Sequence, residues 1–101
     1  MPQIPTLNWL FPPEVHWLPC QVAGDFGPEG YAVQIQVNGS SLAAVVPHGS
    51  VRIEKPALPS SGSVQVVLVA DLTNGNYLAE LPAAPVNGTQ RVTVKREWLK
   101  D

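Results

Sequence analysis

Between Ser63 and Leu81 apolar residues recur at every second position, the period of a strand with one buried face. Val64, Val66, Leu68, Ala70 and Leu72 share one face of the first half, and Tyr77, Ala79 and Leu81 share one face of the second. Asn74-Gly75 lies between them and suits a two-residue type I′ turn, whose central residues both need φ > 0. This register pairs Thr73 with Asn76, Leu72 with Tyr77, Ala70 with Ala79 and Leu68 with Leu81. The opposite face, from Gln65 and Val67 through Asp71 to Glu80, is mixed.

The same period appears in Tyr31–Pro47, where Tyr31, Val33, Ile35 and Val37 alternate with Ala32, Gln34 and Gln36. Beyond Asn38-Gly39, Leu42, Ala44 and Val46 continue the apolar set. A two-residue loop pairs Val37 with Ser40, and a four-residue loop pairs Val37 with Leu42. Both keep the apolar face together, so the pattern leaves the register open. The outward face (Ala32, Gln34, Gln36, Ser41, Ala43, Val45) carries no charge. Such a face invites pairing with another chain.

Glu14 to Ala23 reads as the first strand, with Leu18, Cys20 and Val22 inward, and Pro19 points to an edge position. Trp17 is expected on the other face, toward the N-terminal arm or a partner. Val51–Glu54 and Arg91–Arg96 supply further short strands, and Glu97–Asp101 a helical turn placing Trp98 and Leu99 at an open end of the core. Residues 1–13 form an apolar arm in which Pro2, Pro5, Pro12 and Pro13 bracket Leu7-Asn8-Trp9-Leu10-Phe11. The prolines forbid a regular helix, and the side chains are too apolar for a solvated tail. The arm either packs over an open end of the domain or docks on a neighbouring subunit.

Short strands joined by short connections predict an all-β fold with antiparallel order. The expected architecture is a small SH3-like barrel of about six to seven strands spanning residues 14–101, with an immunoglobulin-like sandwich as second choice. Eight glycines and eleven prolines agree with frequent turns.

Charge changes the picture more than hydrophobicity does. Charged residues make up 14% of the chain, against about 25% in an average soluble domain. Charge normally keeps a small domain dispersed, so its scarcity argues for a surface that another chain covers. A net charge of −2 argues against capture of nucleic acid or anionic membranes. A single cysteine excludes an intramolecular disulfide framework. The N-terminal residues lack a signal-peptide pattern and no apolar run reaches membrane-spanning length, so the expected location is cytoplasmic, without membrane association.

Candidates for chemistry are few. Cys20 with His16 or His48 would be a thiol–imidazole pair, but His16 and Cys20 lie about 13 Å apart along a strand at ~3.3 Å per residue. The plainer reading of Cys20 is an inert core thiol. Asp25 with Glu29 and Asp71 with Glu80 are carboxylate pairs better read as solvated. The run Gly24–Gly30 lacks the Lys-Ser/Thr of a phosphate loop. No cofactor, metal site or catalytic residue is expected.

Three binding readings follow. The first is a non-catalytic assembly or binding module, a homo-oligomer or a partner of another protein, acting through Trp9, Leu10, Phe11, Trp17, Gln34 and Gln36. The second is a small-ligand or peptide binder with Phe26, Tyr31 and His48 forming an aromatic loop pocket. The third is nucleic-acid contact through Arg91, Lys95 and Arg96. No aromatic alternates with those residues as a stacking platform requires, and Glu97 dilutes them. In type, a short, catalytically bare, charge-poor β domain resembles the accessory products of phage or mobile gene cassettes.

Overall fold

Among the described residues seven strands form in chain order: β1 (Asn8–Asp25), β2 (Tyr31–Val37), β3 (Ser40–Val46), β4 (Val51–Ile53), β5 (Ser60–Asp71), β6 (Asn76–Glu80) and β7 (Arg91–Lys95). The structure is a computed structural model that describes residues 7–101. The arm's Pro2 and Pro5 lie outside the described residues. The strands make one antiparallel sheet in the order β3-β2-β1-β5-β6-β7, with β4 sharing the edge of β5. This sheet curls into a half-barrel, so the fold is all-β and barrel-like, and among the described residues no second sheet stacks on it as in a sandwich.

The concave face collects the alternating apolar residues. Leu18 and Val22 of β1, Ile35 of β2, Val46 of β3, Val64, Val66 and Leu68 of β5 and Val94 of β7 are all buried together. Each such side chain contributes about 1.5–3 kcal/mol when fully buried. Trp98 and Leu99 pack against this cluster just after β7, where Arg96–Trp98 forms one 3-10 turn.

Asn38-Gly39 is the two-residue loop, with Val37 opposite Ser40 and φ of 48° and 78°. The Asn74-Gly75 hairpin differs from its expected register. Asp71 pairs with Tyr77, and Leu72 N–H donates to Asn76 C=O, so the loop holds Thr73, Asn74 and Gly75. Thr73 and Gly75 have positive φ, and the Asp71 carboxylate accepts the Thr73 N–H at 2.8 Å. A bulge at Val69 then places Leu68 opposite Ala79 and not opposite Leu81. The one-residue slip at the turn becomes a two-residue slip beyond the bulge. An even slip keeps each side chain on its expected face.

Both ends of the sheet are capped. The outer edge of β3 meets the β6–β7 connection, where Val86 N–H donates to Ala43 C=O and Ala43 N–H donates to Asn87 Oδ1. Asn87 Nδ2 donates in turn to Ser41 C=O, so one side chain satisfies an exposed edge as a strand would. At the other end, Asn38 Nδ2 donates to Thr93 C=O of β7 across the mouth of the curl.

Candidate interaction site

The arm is the start of β1. Asn8 pairs with Asp71 and Trp9 with Ala70, then Leu10 to Pro13 stand against Val69 alone before Glu14 pairs with Leu68. This wide bulge absorbs the two prolines, which could not sit in a regular rung. Leu10 turns inward against the core. Leu7, Trp9 and Phe11 stay outside, 42%, 52% and 88% exposed, and Val15 follows them at 53%. Among the described residues most of the large exposed hydrophobics therefore gather at the start of β1 and the residue before it.

Trp17 behaves differently. It is half-buried, and the guanidinium of Arg52 lies 3.8 Å above its ring. Arg52 also donates to the Asp101 carbonyl at 3.0 Å. Trp17 N–H and Lys100 C=O approach to 2.7 Å, with the return bond at 2.9 Å. These contacts hold the C-terminal segment against β1.

That bridge occupies the flank of β1 that β2 has left. The β1–β2 ladder runs from Asp25 with Tyr31 to Gln21 with Gln34 and stops there. Two residues further the hydrogen-bonded rung would join Pro19 to Gln36, and proline has no N–H to offer. The strands splay, leaving a groove of about 640 Å³. Leu18 and Cys20 line it from β1, Gln34 and Gln36 from β2, and Trp98 and Lys100 from the C-terminal segment. The expectation that Pro19 marks an edge thus holds locally, within a strand that is central elsewhere.

Cys20 sits half-buried in this groove, and burial pushes its thiol up from 9.0 to about 11. It lacks the thiolate character of a nucleophile. Alkylation by iodoacetamide at pH 8 is expected to be at least tenfold slower than in the urea-unfolded chain, accelerating only toward pH 11. Equal rates in the two states would contradict this placement. Because the folded thiol holds its proton more tightly, its stabilising contribution is present below pH 9 and is lost as pH rises through about 11.

The loop aromatics do not gather in one site. Tyr31 and His48 meet edge to face with centroids 4.6 Å apart, and His48 Nε2 lies 2.9 Å from Asp25 Oδ1. The hydrogen bond with His48, then the one from Gly27 N–H, holds the Asp25 carboxyl below its ordinary value. Phe26 belongs to a separate depression of about 240 Å³ with Ala32, Ala43, Val45 and Val86, on the charge-free outer face of β2 and β3.

The polar candidates are occupied with neighbours. His16 lies 3.4 Å from Glu14 and 3.6 Å from Asp101, in a recess shared with Tyr77, Arg96 and Leu99. Glu80 pairs with Arg91 at 3.2 Å, and Lys95 stands 5.6 Å from the centre of the Trp98 ring. Among the described residues no three His, Cys, Asp or Glu side chains converge to hold a metal ion, and no helix is long and apolar enough to cross a membrane.

Residue pattern picked out Trp9, Phe11, Gln34 and Gln36 and placed Trp98 at an open end of the core, but it gave Lys100 and Arg52 no part in this site. The only sequence signal for the groove was Pro19, and its meaning depends on knowing which strand lies beside it. Comparison with family models, curated proteins and solved structures finds no match to this chain.

Proposed function

We propose that this chain is a non-catalytic assembly module that self-associates through its N-terminal arm. The observation that carries the reading is the exposure of Leu7, Trp9 and Phe11 on a segment anchored to β5 by the rungs of Asn8 and Trp9. A segment ordered by backbone pairing has already lost much of its conformational entropy, so burying its side chains in a partner is correspondingly more favourable. Burial of an aromatic such as Phe11 is worth about 1.5–3 kcal/mol, and the chain's sparse charge offers little repulsion between copies.

The substitutions Trp9→Ser and Phe11→Ser together test this. Both side chains lie outside the core, so the thermal midpoint is expected to move by less than about 4 °C, the shift that ~1 kcal/mol produces in a domain of this size. The sedimentation coefficient is expected to fall to that of a monomer. A variant that associates as strongly as the parent would remove the arm from assembly.

A further inference from the structure

We infer that the groove between β1 and β2 is the receptor for the arm of a second copy, which adds to the open edge of β2 as an extended strand. This rests on the reading of the arm as an assembly element and names what it binds. Backbone hydrogen-bonding groups alternate along a strand, and the rungs assign their directions here. Gln34 faces Gln21 of β1, so Gln36 directs its N–H and C=O the same way, into the splay. Its expected partner, Pro19, has a carbonyl but no N–H. Trp17, the next outward-bonding residue of β1, is already joined to Lys100. The groove therefore contains a strand edge with no rung, above an apolar floor of Leu18 and Cys20.

An unfilled strand edge over an apolar floor is chemically complementary to another extended backbone with apolar side chains on alternate positions. The stretch from Leu7 to Phe11 has that pattern, carries no charge, and has rungs to β5 on one flank only. The groove is likewise without net charge, since Glu97 and Lys100 offset one another at its rim. A chain cannot fill its own groove while the arm holds its rungs. Measured along β5 from Ala70 to Ser63, the partners of Trp9 and Pro19, the two sites stand roughly 23 Å apart at ~3.3 Å per residue. Arm and groove are different patches, so reciprocal exchange about a twofold axis closes a dimer, and one-way docking builds open chains.

The test uses the isotopically labelled full-length chain carrying Trp9→Ser and Phe11→Ser, titrated with a synthetic peptide of residues 7–11. Amide shifts are expected at Gln34 and Gln36 and at the Trp98 indole, with exchange of the Gln36 amide slowed at least tenfold. Shifts confined to other surfaces, or none, would overturn the groove as receptor. Pro19→Val restores the missing N–H and is expected to extend the β1–β2 ladder, protect Gln36 without peptide and abolish the titration. Should the Pro19 variant not fold, Gln36→Pro removes the N–H directed into the splay, which has no rung to β1, and is expected to weaken binding at least tenfold. In the chain with an intact arm, both substitutions are expected to reduce the mass toward the monomer. If they leave the oligomer intact while Trp9→Ser with Phe11→Ser dissolves it, the arm assembles elsewhere and only the groove assignment fails. If the arm substitutions leave the mass unchanged, the assembly reading itself fails.

Discussion

Gly30→Ala is expected to lower stability by roughly 4 kcal/mol or more, combining backbone strain with a collision that only backbone movement can relieve. Gly30 has φ of +124°, a region that L side chains rarely adopt, and a methyl group there would lie 1.8 Å from the Val46 carbonyl oxygen. That oxygen belongs to the rung between Val46 and Tyr31, so relief means breaking the first pairing of β2 with β3. Gly39→Ala is the matched control. Its φ of +78° is also unfavourable, but nothing lies within 4 Å of the new methyl, and the expected loss is about 1–2 kcal/mol. Urea unfolding of the two variants separates contact from strain. Equal losses would mean that the close approach between Gly30 and Val46 does not exist in solution.

Leu68→Ala is the second large effect, with an expected loss of about 3 kcal/mol from lost transfer energy and the residual cavity. Leu68 is 2% exposed and lies on β5 between Glu14 of β1 and Ala79 of β6, packed in the apolar cluster of the concave face. Val69→Ala, one residue along on the bulge and only half-buried, is expected to lose less than about 1.5 kcal/mol. Chemical denaturation of this pair reads the face assignment of β5 directly. A Val69 loss equal to or greater than that of Leu68 would place the wrong face inside.

Those faces were legible in the sequence because strand periodicity survives any even slip. The register was not legible, and the two Asn-Gly turns explain why. Asn38-Gly39 takes the two-residue loop, one of the two registers that its pattern leaves open. Before Asn74-Gly75, Asp71 captures the Thr73 N–H and draws Thr73 into the loop with φ of 63°. The bulge at Val69 then restores the alternation, so its burial pattern matches that of the expected register.

The arm was legible as extended and apolar, but its rungs to Ala70 and Asp71 were hidden behind Pro12 and Pro13, which a four-residue bulge accommodates. Gln34 and Gln36 stood out by their lack of charge. What joins them to Trp98 and Lys100 is a rung that proline removes, a relation between strands that no local pattern contains. The shielding of Trp17 by Arg52 depends in the same way on tertiary placement.

The most direct measurement is the solution mass of the unmodified full-length chain by multi-angle light scattering over a hundredfold range of concentration. Assembly through the arm requires a mass that rises from 10.8 kDa toward a multiple of it as concentration increases. A mass of 10.8 kDa throughout, with Trp9 and Phe11 still open to solvent, would contradict self-association as the role of this chain.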